Sequence, residues 1–301
     1  MYCTHLTEAE AADIDAQVGK VLRGLGNPEP PLRLDDVREL LRLDLQYYSL
    51  SGTDHIQETV SRLKIAGKQI LRRPTLLLDA IRKRDLKALW VPDRKRILID
   101  KSLPKLKWRW SEGHEIGHSI IPWHQDMLHG DDKRTLTPST EQHLEAEANY
   151  AAGRLLFLRG EFDERLHSGP VDYAAIDKLS KEFGNTKTTT LWRAVESLAV
   201  PAFGMVTQHP AKQADPDRPL IRYFVRSQLF AEQFASVERH EFLASLRANC
   251  RGGRGPIGEM DILLSDERGR QHVFHMTAFH NSYETLVFGV HRHARRMALA
   301  V

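Results

Sequence analysis

The chain has 301 residues, enough for two or three domains, and its 41% hydrophobic and 28% charged content is that of a globular protein. A net charge of +3 gives no reason to expect a nucleic-acid or membrane-surface binder from bulk charge. Its two cysteines, Cys3 and Cys250, are far apart and exclude both a disulfide framework and a cysteine-ligated zinc cluster.

The first residues lack a basic start followed by an apolar run, and no stretch approaches 18 apolar residues, so the expected location is a reducing cytoplasm. In chain order, residues 8–25 predict an amphipathic helix, ended by Gly24, Gly26 and the prolines of 28–31. A second helical pattern covers 35–43, and the Leu- and Tyr-rich 45–50 reads as a strand. Residues 55–83 place apolar and basic positions at helical spacing, broken by Pro74. The wider stretch 62–109 is basic and reads as a solvated surface.

The period then changes. Lys87–Val91 and Arg96–Asp100 flank Pro92-Asp93-Arg94-Lys95, which is turn chemistry, so a β-hairpin is expected. Residues 105–121 return to a helix that Pro122 stops. Another helix starts near Ser139, in a capping box with Gln142, and runs through Leu144, Ala148, Ala152 and Leu155 to about residue 158. After a boundary over 160–170, helices at 171–183 and 188–198 surround Gly184-Asn185, as in a helix-turn-helix. From 201 onward strands are expected at 202–207, 220–226, 260–264, 272–279 and 285–291. One helix at 231–248 and a loop at 251–256 interrupt them, giving an α+β module with a mostly antiparallel sheet.

Chemistry concentrates in His114-Glu115-Ile116-Gly117-His118. Helical residues four apart share a face, so both imidazoles can address one metal ion at about 2 Å. Glu115 lies beside that face, where its carboxylate can take a proton from an attacking water. Gly117 leaves space for a neighbouring element. A catalytic zinc needs a third protein ligand and one open position. His124, six residues after His118, has metzincin spacing, but that pattern needs Gly where this chain has Ile121, followed by Pro122. His124 is therefore expected to be a surface histidine or a group behind the ligands, and its removal to spare metal binding. Glu145 on the following helix is the better third ligand, with Asn149 one turn later as its supporting partner in the site. Glu147 is expected to be a structural hydrogen-bonder or salt-bridge partner, Glu141 a first-turn charge, and His143 a weak alternative ligand.

Two runs carry a family resemblance. Trp108-Arg-Trp-Ser-Glu-Gly-His-Glu-Ile-Gly-His and Glu145-Ala-Glu-Ala-Asn-Tyr-Ala-Ala-Gly-Arg-Leu-Leu resemble the motifs of the ImmA/IrrE metallopeptidases, across roughly 85–160. Trp110 stands where that family usually has Phe, Ala151 where its second Phe-Ala pair begins, and no Pro follows Leu156; these differences leave the ligands intact. The domain order resembles that of the family's deinococcal radiation-response regulators. The resemblance implies an α+β protein with a zincin-like zinc metallopeptidase domain (1–160), a helix-turn-helix domain (161–199) and a C-terminal GAF-like antiparallel domain (200–301). It further implies a zinc (or manganese) endopeptidase that cleaves a helix-turn-helix repressor of the XRE type, DdrO-like, and so induces DNA-damage genes.

A rival expectation is a transcription factor that binds DNA through 171–198 and keeps a structural metal. Phosphate contacts need concentrated Lys and Arg, whereas the second helix offers only Lys187 and Arg193 beside Glu196, so direct DNA binding is not favoured. Arg251-Gly-Gly-Arg-Gly is read as a flexible basic loop, and His272, His275, His280, His291 and His293 as surface and core histidines.

Overall fold

The computed structural model describes residues 6–48, 88–91, 95–124, 138–209, 215, 219–249, 255–281 and 283–294. The helical pattern at 55–83, the basic run within it, the turn at 92–94, both cysteines and residues 251–254 lie outside the described residues. The chain divides into two compact units, Tyr2–Phe162 with Glu182–Asn185, and Asp163–Lys181 with Thr186–Val301.

The first unit opens with α1 (Glu8–Gly24), whose Ile14, Val18, Val21 and Leu22 are buried along one stripe. A capping box not anticipated from the sequence starts it: Thr7 accepts from the Glu10 N–H, and Glu10 accepts from the Thr7 N–H at 2.7 Å. Next come α2 (Leu34–Leu41) and the strands β1 (Asp44–Tyr48), β2 (Ala88–Val91) and β3 (Arg96–Asp100). The expected hairpin of β2 and β3 is present, and β1 joins the other side of β3 in parallel. β3 is therefore the central strand of the order β1-β3-β2, with Ile97, Leu98 and Ile99 buried.

Two helices complete this unit's functional part, α3 (Lys105–Ile120) and α4 (Pro138–Leu156). The side chain of Ser139, and with it the expected cap, lies outside the described residues. On α3, Gly113, Ile116, Gly117 and Ile120 are buried at helical spacing, as are Leu144, Ala148, Ala151, Ala152 and Leu155 on α4. Small residues let the helices approach closely. A Cβ on Gly117 would lie 2.7 Å from the Ala148 carbonyl oxygen, and one on Gly113 2.8 Å from Leu156 Cδ1. Outer partners fix both helices: Arg38 donates to Glu112 at 2.7 Å, Arg154 to Asp15 at 2.7 Å, and Arg109 to Asn185 at 3.1 Å.

In the second unit, α5 (Gly160–His167, from Asp163), α6 (Tyr173–Glu182, to Lys181) and α7 (Lys187–Ser197) precede β4 (Ala202–Thr207) and β5 (Ile221–Arg226). Then follow α8 (Gln228–Gln233), α9 (Glu241–Asn249), β6 (Gly255–Ser265), β7 (Gln271–His280) and β8 (Thr285–Ala294). The five strands form an antiparallel sheet of order β5-β4-β8-β7-β6. All of β4 is buried because both faces are covered. Phe203 stacks on Phe242 at 4.3 Å in a cluster with Phe230, Phe234 and Phe274, while Gly204 faces Leu191 and Val195 of α7.

The single helix expected at 231–248 is two helices, and a tertiary contact explains the break. The N–H and hydroxyl of Ser236 both donate to Glu267 at 2.8 Å, which takes that N–H out of a helical ladder whose periodicity the sequence continues. Pro256, expected in a loop, lies in β6 where the register shifts.

Candidate metal centre

The close contact of α3 and α4 brings three donor atoms together. His114 Nε2 lies 3.1 Å from Glu145 Oε2, His118 Nε2 lies 3.5 Å from Glu145 Oε1, and the two Nε2 atoms are 3.2 Å apart. Four bonds of about 2.0–2.1 Å in tetrahedral directions place neighbouring ligand atoms about 3.3 Å apart, so the three donors suit zinc without rearrangement. Their chemistry suits it too, being two imidazoles and a carboxylate. Glu145 keeps half its side chain exposed, which leaves the group open to a fourth ligand.

Electrostatics agree with a cation at this point. Burial opposes charge on both partners, yet hydrogen bonds and charge attraction overcome it. They hold the Glu145 carboxyl below the usual carboxylate range and raise His114 above the ordinary imidazole value. The cluster favours a positive charge between its members, which a divalent ion supplies in place of a proton.

His114 also meets Asn149, with its Nδ1 3.1 Å from Oδ1. An amide oxygen only accepts, so Nδ1 carries the proton and Nε2 is left with its lone pair. Glu115, next in sequence, is buried, and its charge helps raise His114. The structure thus gathers His114, His118, Glu145 and Asn149 in one place, with Glu115 adjoining.

Of the two expectations for His124, the group behind the ligands holds and the surface histidine does not: it is fully buried in the helical turn that starts at Pro122, with its ring against His118. Its Nδ1 lies 2.8 Å from His118 Nδ1, and its Nε2 2.7 Å from Glu147 Oε2. Burial lowers its pKa to about 4, with the His118 charge adding and Glu147 opposing. Glu147 is the hydrogen-bonder expected, and it also accepts from the Trp123 indole at 3.0 Å. Nothing local in the sequence singles out Trp123; the tertiary contact with Glu147 does. His143 turns away from the three donors and meets Glu10 of α1 at 2.9 Å. The Glu141 side chain lies outside the described residues.

In the other unit, the basic residues of α7 are engaged internally. Arg193 is buried and donates to Asp163 at 3.0 and 3.1 Å, and Ser197 donates to the same carboxylate at 2.6 Å. Lys187 pairs with Asp177 and lies 4.4 Å over the Phe279 ring.

A helix presenting two histidines four residues apart, faced by a glutamate on the next helix, defines a metallopeptidase-like domain. Residues 70–194 match the family described as Peptidase_M78, the IrrE N-terminal-like domain. No curated protein matches the chain. Among solved structures, the chain is similar to a Mycobacterium tuberculosis transcriptional regulator, with a TM-score of 0.52 and 14% identity over 94% of this chain and 76% of that one. At that identity the likeness concerns the fold alone. Among the described residues, no helix is long and apolar enough to cross a membrane.

Proposed function

We propose that this protein is a zinc-dependent, site-specific endopeptidase of the ImmA/IrrE kind, acting in the cytoplasm on a transcriptional repressor. One observation carries the reading: His114, His118 and Glu145 converge at tetrahedral spacing while Glu115 adjoins them. His114, His118 and Glu145 would hold the metal, with manganese as an alternative ion. When bound there, zinc lowers the pKa of a water toward neutrality and polarises the peptide carbonyl.

The residues of the chain do the rest. Glu115 takes a proton from the attacking water as its oxygen bonds to the scissile carbonyl carbon. The C–N bond then breaks, and the proton passes to the leaving amine. Asn149 orients His114 by holding its Nδ1–H.

In this reading the substrate is a helix-turn-helix repressor, DdrO-like, whose cleavage induces DNA-damage genes. The α6–α7 pair is the helix-turn-helix domain, and the five-stranded sheet with its helices is a GAF-like domain. The test is to incubate the full chain with zinc and such a repressor and look for a single cut, absent with Glu115→Gln. A second reading, a DNA-binding regulator, is favoured by the fold of the mycobacterial transcriptional regulator. The internal engagement of Lys187 and Arg193 weighs against it, and a gel shift at physiological salt decides.

A further inference from the structure

We infer that Glu147 and His124 act as a positioning pair for His118, fixing the tautomer in which His118 turns its Nε2 lone pair toward Glu145 and His114. The inference rests on the metallopeptidase reading and extends it to residues outside the ligand set.

Donors and acceptors along one chain of contacts fix where each proton sits. Trp123 Nε1–H donates to Glu147, 3.1 Å from Oε1 and 3.0 Å from Oε2. A carboxylate only accepts, so the 2.7 Å contact between Glu147 Oε2 and His124 Nε2 requires the His124 proton to sit on Nε2. Neutral His124 then has a lone pair on Nδ1. That lone pair faces His118 Nδ1 at 2.8 Å, a distance at which one nitrogen must donate, and only His118 can. His118 therefore carries its proton on Nδ1 and presents Nε2 unprotonated. The opposite arrangement would set a lone pair of His124 Nε2 against the Glu147 carboxylate and close His118 Nε2 to a metal.

The same contacts remove His124 as a ligand, because both its ring nitrogens are occupied, one by His118 and one by Glu147. Position supports the assignment as well. His124 is fully buried and Glu147 nearly so, the surroundings in which an unmade hydrogen bond is costly and a made one holds its geometry. The two ligand histidines are thus oriented differently, His114 by an amide and His118 by an imidazole backed by a carboxylate.

The deciding experiment needs no variant. Long-range 1H–15N NMR of the zinc-loaded full chain reports which ring nitrogen of each histidine carries the proton. Nδ1–H on His118 with Nε2–H on His124 supports the inference, and a proton on His118 Nε2 overturns it. As a second readout, and contrary to the expectation from the sequence that removing His124 spares the metal, His124→Phe should weaken zinc binding about 10–100-fold in a chelator competition. His124→Asn, whose amide oxygen can accept the His118 proton, should recover part of that loss. A His124→Phe protein that melts like wild type and binds zinc equally well overturns the inference. Wild-type protein that binds zinc with this tautomer but fails to cleave would sink the peptidase reading instead, while the tautomer result would stand on its own.

Discussion

Gly117→Ala tests whether the approach of α3 and α4 builds the metal centre. The added methyl would lie 2.7 Å from the Ala148 carbonyl oxygen and 3.3 Å from Ala151 Cβ, where ordinary contact begins at 3.4 Å. The obstruction is backbone within a helix and cannot rotate away, so the helices must part by about 0.7 Å in that direction, the difference between 3.4 and 2.7 Å. Overpacking of this kind costs roughly 1–3 kcal/mol. The larger effect falls on the metal. His114 and His118 stand on one helix and Glu145 on the other, and metal–ligand distances tolerate only about 0.2 Å. Zinc affinity should therefore fall by at least tenfold, measured by chelator competition, together with a lower urea midpoint. Gly153→Ala on α4 is the control. Nothing lies within 4 Å of its added Cβ, so a gain of about 0.5–1 kcal/mol from helix propensity and unchanged zinc binding are expected. If Gly117→Ala binds zinc as tightly as wild type, the close helix contact is not what sets the ligand spacing.

Glu115→Gln should retain zinc and lose cleavage, whereas Glu145→Gln should lose zinc affinity first; metal content and single-turnover cleavage separate the two. Because His114 is raised above 6.5, protons compete for it from above that pH, while Glu145, held low, stays ionised. Zinc affinity should accordingly fall as pH drops through neutrality, and titrations showing no change between about pH 8 and pH 6 would refute this. Arg193→Leu leaves Asp163 without its guanidinium and should cost about 1.5–3 kcal/mol in urea unfolding, where a DNA-contacting arginine would cost little. Substrate is expected to add as a strand to β2, since β3 is paired on both sides and has no edge to offer. Of Leu89 and Trp90, one directs its N–H away from β3; Pro there should suppress cleavage while zinc content stays normal.

Much of the site is legible in the chain because its signals are local. His114 and His118 share a face through helix geometry alone, and Glu115 follows one of them in sequence. The strands at 88–91 and 96–100 announce themselves as short apolar runs beside turn residues, and β7 by its alternation of buried and less buried positions. The remainder depends on groups distant in sequence, and periodicity carries no information about those. That β1 pairs in parallel with β3, leaving β2 an edge among the described residues, follows from a crossover that strand propensity cannot express. The break between α8 and α9 follows from Glu267, some thirty residues beyond Ser236. From the sequence His124 could be a surface histidine or a group behind the ligands, because Pro122 ends a helix without saying where the chain goes next. Its burial comes from contacts with His118 and with Glu147 of α4, a helix further along the chain, and no local pattern in the sequence encodes that meeting.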